Sequence, residues 1–270
     1  MPEVETIARK LGRKLIGKRI SVVQLSGLSL RRPIARSFAA KLQGRTIRKI
    51  SRRGKYLIVE LEPKAFWLVH LGMSGRILYQ MCAGAKAKHT HVTVQFSDST
   101  ELQYRDPRRF GLMDFYELEQ LDQIPEIRSL GMDPLSSAFN GKWIGPHLEK
   151  SRQEIKSFLL DQRKIAGLGN IYVCEALFLA HIRPQRRCHT LTSREKGNLI
   201  EAIKRVLRDA IRRRGTSFSD FVDSDGNLGQ NQKYLTVFQR DGEACLRCGT
   251  MIRRILHGGR SSFYCPNCQE

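Results

Sequence analysis

Cys245-Leu246-Arg247-Cys248 and Cys265-Pro266-Asn267-Cys268 stand sixteen residues apart in the last 26 residues of the chain. Two cysteine pairs, each enclosing two residues, form two tight knuckles, and the stretch between them closes as a hairpin so that four thiolates meet one tetrahedral ion. The spacing predicts a structural zinc site with ligands Cys245, Cys248, Cys265 and Cys268. Two disulfides would be the alternative, but they belong to secreted chains, and nothing else here has that character. Between the knuckles lie Arg253, Arg254, His257, Gly258, Gly259 and Arg260, a basic hairpin whose tip suits an anionic partner.

The charge of the whole chain points the same way. Forty-seven Lys and Arg against 26 Asp and Glu give a net charge of +21 on 270 residues, while 41% hydrophobic residues suffice for real cores. A charge this large predicts phosphate binding, and hence nucleic acid. No run of apolar residues is long enough for a membrane span, and the N-terminus lacks the apolar core of a signal peptide, so a cytoplasmic protein is expected. Cys82, Cys174 and Cys188 then read as reduced thiols.

Working back from the zinc knuckles, the period of the pattern changes twice. Val4, Ile7, Ala8, Leu11 and Leu15 make a helical stripe over residues 3–16. Short β-rich runs follow at 20–25, 46–50, 55–61, 66–71, 76–80, 91–96 and 101–105, which predict an antiparallel sandwich or barrel. Residues 131–146 read as a loop. Ser151-x-x-Glu154 and Thr192-x-x-Glu195 are capping-box sequences opening two helices, and Gly167-Leu168-Gly169-Asn170 leads into an apolar helix over 171–180. Amides at such a glycine-led helix start can approach a phosphate, with Lys164 nearby.

The beginning of the chain offers chemistry as well. Removal of Met1 would leave Pro2 as a secondary amine, and an α-amino group with a pKa near 8 is roughly a tenth to a fifth neutral at pH 7, which makes it a usable nucleophile. Glu3 beside it could shuttle protons. Pro-Glu is also an ordinary helix start, so the pair needs context.

Taken together, Pro2-Glu3, Gly54-Lys55-Tyr56-Leu57, His70-Leu71-Gly72-Met73-Ser74-Gly75, Asp106-Pro107-Arg108-Arg109-Phe110-Gly111, Gly167-Leu168-Gly169-Asn170-Ile171-Tyr172 and the zinc knuckles resemble the formamidopyrimidine-DNA glycosylase family along essentially the whole chain. The resemblance implies a multi-domain α+β protein: an N-terminal antiparallel β-sandwich with its leading helix (1–131), a linker (132–150), a helix-two-turns-helix domain with a lesion-recognition loop (151–234) and a zinc-finger hairpin (235–270). It implies a bifunctional enzyme of base-excision repair, both glycosylase and abasic-site lyase, acting on oxidised purines in double-stranded DNA bound between the domains. A monomer near the nucleoid is the default for this architecture.

The resemblance also assigns roles. Pro2 would attack the anomeric carbon, Glu3 would protonate the sugar, Lys55 would lie near the base and its phosphate, and Arg260 would grip the flanking phosphates with Asn170. Met73, Arg108 and Phe110 would fill the gap left by an extruded nucleotide, with His89, His91 and Lys164 as further DNA contacts. Ser217 to Lys233, polar and glycine-containing, reads as a flexible recognition loop. One departure stands out: the family usually begins Met-Pro-Glu-Leu-Pro-Glu-Val-Glu-Thr, whereas this chain begins Met1-Pro2-Glu3-Val4-Glu5-Thr6. Three residues amount to about 4.5 Å of helix. A rearranged but active site and a lesion-binding protein without lyase activity therefore stay open from the sequence; the competing enzyme reading is the related endonuclease VIII, which acts on oxidised pyrimidines and generally supplies its wedge from a single loop.

Overall fold

A computed structural model describes residues 1–82, 87–218 and 220–270, which fall into two compact units. One consists of Pro2–Arg128 with Ile211–Gln232; the other of Met1, Ser129–Ala210 and Lys233–Glu270.

The first unit opens with α1 (Pro2–Leu15), acidic in its first turn and basic in its last, as the helix dipole favours. Then come β1 (Ile20–Leu25), α2 (Phe38–Leu42), β2 (Thr46–Arg53), β3 (Tyr56–Glu62), β4 (Ala65–His70), β5 (Arg76–Gln80), β6 (Thr90–Phe96), β7 (Glu101–Arg105), β8 (Leu112–Tyr116) and α3 (Pro125–Arg128). The strands form two antiparallel four-stranded sheets, ordered β1-β6-β7-β5 and β2-β3-β4-β8. Ile77, Val92, Val94, Leu102 and Tyr104 of one sheet share a core with Leu57, Val59, Trp67, Val69 and Met113 of the other. The stripe Val4, Ile7, Leu11 and Leu15 joins that core, so α1 is fixed by its apolar face. Glu5 adds a polar clamp, accepting from Arg52 Nε of β2 at 2.8 Å.

The second unit holds α4 (Gly141–Glu149), α5 (Ile155–Leu160), α6 (Asn170–Leu179), the body of α7 (Ser193–Arg212), and the hairpin of β9 (Arg253–His257) and β10 (Arg260–Tyr264). Thr192 and Glu195 form the predicted capping box: Glu195 N donates to Thr192 Oγ1 at 3.2 Å and Thr192 N to Glu195 Oε2 at 2.7 Å. The box expected at Ser151 does not form. Ser151 Oγ accepts from Gln153 N instead, and α5 starts at Ile155 behind Glu154 without a side-chain cap. The stretch read as a loop over 131–146 contains the start of α4, because Asn140 caps Trp143 N and Ile144 and Leu148 are buried; Pro146 inside the helix is what disguised it.

Candidate nucleic-acid interface and zinc centre

In the sandwich unit, the expected DNA-facing residues occupy adjacent turns. Lys55 sits in the two-residue turn between β2 and β3, where Gly54 takes φ +59 as the first central position of a type II′ hairpin requires. Met73 lies on the turn after β4 and is 68% exposed; Phe110 is 49% exposed and Arg108 is exposed beside it. Two large apolar side chains held in solvent have no packing purpose of their own.

What holds them out is a buried acid at the head of the same motif, to which the sequence alone assigns no role. Asp106 is fully buried and accepts from Ser74 Oγ at 2.5 Å, Gly111 N at 2.8 Å and Tyr104 OH at 3.1 Å. Ser74 Oγ in turn accepts from Arg108 N at 3.3 Å. One carboxylate thus ties the Met73 turn to the Arg108–Phe110 loop, and removing it would leave three buried donors unsatisfied. The two loops touch so closely that a Cβ on Gly72 would stand 2.6 Å from the Phe110 carbonyl carbon. Asp106 also helps hold the Tyr104 hydroxyl well above its ordinary pKa, an effect due first to burial.

His89 is exposed with φ +63, whereas His91 does not fit a DNA contact. It is 3% exposed, and its ring bonds within the protein: Nε2 to Asp106 O at 3.0 Å and Nδ1 to Ser26 Oγ at 3.1 Å. Nε2 donates to the carbonyl, and Nδ1 shares the second bond with the Ser26 hydroxyl. His91 therefore supports the Asp106 loop from behind.

His70, opposite Tyr56 across β3 and β4, is another motif residue without a role in the sequence. Burial, then the Arg31 and Lys55 charges, depress its pKa from 6.5 to about 4, so it is neutral at pH 7 and accepts from Gly72 N through Nδ1 at 3.0 Å. A depressed histidine stabilises the folded state above its unfolded pKa, and that stability drains away as pH falls towards the folded value. Between about pH 6.5 and 4 the unit should lose about 2–3 kcal/mol on this account. Denaturant melts across that range will show it, and His70→Asn should flatten the slope; an unchanged slope would discard the assignment.

At the start of α1, Glu3 Oε1 accepts from Thr216 N at 3.1 Å, and Thr6 Oγ1 donates to Pro2 O at 2.9 Å. Described residues at the two ends of the recognition segment bond to one another. Asn231 Nδ2 bonds Thr216 Oγ1 at 2.9 Å, and Ser217 Oγ accepts from Gly229 N at 2.8 Å.

In the second unit, Asn170 opens α6 and its Nδ2 donates to Ser261 O of β10 at 2.9 Å. The same carbonyl accepts from Lys156 Nζ at 2.9 Å, and Lys156 also reaches Ser262 Oγ at 2.5 Å. Lys156 is 0% exposed, and burial lowers its pKa. A buried lysine costs folding energy unless it is bonded, so its value lies in fixing the strand that begins at the exposed Arg260. Its apolar flank, Ile155 and Phe158, was the sole sequence sign of burial. Lys164 is half-buried, bonding Gln153 Oε1 at 2.5 Å with its Nζ 4.6 Å from the Phe158 ring centroid. Buried Glu175 of α6 anchors the chain entering the zinc module by accepting from the amides of Thr236, Val237 and Phe238.

The sulfurs of Cys245, Cys248, Cys265 and Cys268 lie within 4.8 Å of one another, with Cys248–Cys265 at 3.5 Å and Cys245–Cys268 at 4.0 Å. Tetrahedral zinc with bonds of about 2.3 Å needs sulfurs about 3.8 Å apart, so the donors fit. Four thiolates leave no open position, and the ion is structural.

Three family models match segments of the chain. Residues 1–113 match the formamidopyrimidine-DNA glycosylase N-terminal domain, 130–222 the H2TH domain of the same protein, and 242–270 the zinc finger found in FPG and IleRS. The chain belongs to the formamidopyrimidine-DNA glycosylase family. It is 42% identical to the formamidopyrimidine-DNA glycosylase of Pelotomaculum thermopropionicum over 100% of this chain and 98% of that one. Among solved structures, Lactococcus lactis FPG (MutM) with a Fapy-dG containing DNA superposes with a TM-score of 0.90 at 34% identity, covering 100% and 99% of the two chains. MutM (FPG) from Thermus thermophilus superposes at 0.88, also at 34% identity, with 100% and 98% covered. Within this glycosylase family the four cysteines hold the zinc of the finger.

Proposed function

We propose that the chain is a bifunctional glycosylase and abasic-site lyase of base-excision repair, removing oxidised purines such as 8-oxoguanine and formamidopyrimidines from double-stranded DNA. The observation that carries this reading is the exposed set Met73, Arg108 and Phe110 on two turns clamped by Asp106. An oxidised base inside a duplex is out of reach, so the nucleotide must be extruded and its place filled. Met73 and Phe110 replace lost stacking, and Arg108 donates to the acceptors of the orphaned base.

With Met1 removed, the Pro2 amine attacks the anomeric carbon, the bond from that carbon to the base breaks, and the sugar opens to an iminium as the amine loses its proton. Glu3, its carboxylate oriented by the Thr216 amide, carries protons to the ring oxygen and onwards. The iminium draws electrons, so β- and then δ-elimination expel the two flanking phosphates. Lys55, Arg260, Asn170, His89 and Lys164 supply the phosphate-side contacts. Zinc holds the hairpin that carries Arg260 and enters no step.

The setting is the cytoplasm at the nucleoid, and no helix among the described residues is long and apolar enough to cross a membrane. The wedge from two separate turns favours the purine enzyme over an endonuclease VIII-like one. Paired duplexes carrying 8-oxoguanine or an oxidised pyrimidine opposite a normal base decide between them. Release of 8-oxoguanine at about tenfold or greater advantage in kcat/KM is expected; preference for the pyrimidine would overturn the assignment.

A further inference from the structure

Helix α1 carries two lysines that the chemistry proposed above does not use. Lys10 Nζ lies 2.6 Å from Asp223 Oδ2 and 2.8 Å from Asp225 Oδ2, and Lys14 Nζ pairs with Asp225 Oδ1. Lys14 Nζ also stands 4.7 Å from the centroid of the Tyr79 ring, while Tyr79 N donates to Ser224 O at 2.8 Å. Asp223 is fully buried, and its Oδ1 accepts the amides of Asp225 at 2.9 Å and Asn227 at 3.1 Å. Residues 223–227 are thereby a closed turn with a buried carboxylate at its centre. A buried carboxylate is costly without a cation, and Lys10 supplies one; an exposed ion pair would contribute little.

The segment is held at its other end by the same helix, through Glu3 Oε1 and Thr216 N. Glu3 and Lys10 are seven residues apart, two turns and about 10.5 Å along one face. Between these anchors lie the half-exposed Phe218 and Asp220, the latter 3.6 Å from Arg76 and 3.8 Å from the wedge residue Arg108.

We propose that Lys10 and Lys14 are positioning residues for lesion recognition: they latch the Asp223 turn, and with it the neighbouring Phe218 and Asp220, to the helix that carries the nucleophile. Phe218 and Asp220 then meet an extruded base in a fixed position. The proposal rests on the glycosylase reading above. It separates two activities of one enzyme, because base release needs the recognition segment and nicking at a ready-made abasic site, which has no base to recognise, does not.

The test compares both activities in single turnover on the same preparations. Lys10→Met with Lys14→Met should slow release of 8-oxoguanine about tenfold, the scale of a small misplacement at a reacting centre. Nicking of an abasic duplex should stay within about twofold of the parent, since no base has to be positioned. Lys10→Arg should restore release, and Asp225→Asn, which spares the buried turn, should lose release in the same sense. Equal losses in both activities, or unchanged release, would overturn the latch. A parent chain that neither releases base nor nicks would instead overturn the glycosylase reading on which the latch depends.

Discussion

Stripping the zinc with a strong chelator, or replacing Cys265 with Ser, is expected to abolish binding to damaged duplex while the sandwich stays folded. The module around the four sulfurs is small. Its core consists of Cys174, Phe178, Val237, Cys245, Ile252, Phe263 and Cys265, with Phe238 packed on it. Apolar burial on that scale does not hold so small a module alone, whereas zinc contributes about 10–16 kcal/mol to such a fold. Without it the β9–β10 hairpin loses its geometry, and Lys156 and Asn170 lose the Ser261 carbonyl that both of them hold. Arg260 is then displaced from the phosphates it is proposed to grip. Affinity for an abasic duplex should fall about a hundredfold or more, as expected when a site's charged contacts are lost together. The sandwich has its own core, built on Leu57, Val59, Trp67 and Val69, so circular dichroism of the sheets should change little. Zinc-free protein that binds damaged duplex normally would remove the hairpin from the interface.

The second large effect concerns the first residue. Borohydride trapping on a duplex with 8-oxoguanine opposite cytosine should join DNA to Pro2 in protein whose Met1 has been removed, and should give no adduct in protein that keeps Met1. The reason is bonding: with Met1 present, the Pro2 nitrogen is an amide with no basic lone pair, and Met1 is itself buried at 4% exposure. After removal the nitrogen is a secondary amine, and trapping should rise with pH up to about 8 as it deprotonates. Mass mapping of the adduct checks this directly. Tight binding without any adduct in processed protein would indicate a lesion binder that lacks the nucleophile.

The sequence by itself determined whatever depends on local spacing or residue chemistry. Cysteines two apart make knuckles because the geometry of the turn is local; the Val4, Ile7, Leu11 and Leu15 stripe makes α1 because its period is helical; Thr192 and Glu195 cap α7 because both lie within one turn. Local signals failed where a tertiary contact outweighed them, as at Ser151, which turns to Gln153, and at α4, whose Pro146 reads as a breaker while Ile144 and Leu148 are buried. His91 has the chemistry of a DNA ligand, and only its enclosure by Ser26 and Asp106 decides otherwise. Tertiary structure alone also revealed Asp106 clamping the wedge turns, Lys156 under the zinc hairpin and Lys10 on the Asp223 turn. Each joins residues 32, 105 or 213 positions apart. No spacing rule spans such separations, because the fold rather than the chain brings these groups within hydrogen-bonding distance, and burial then makes each bond obligatory.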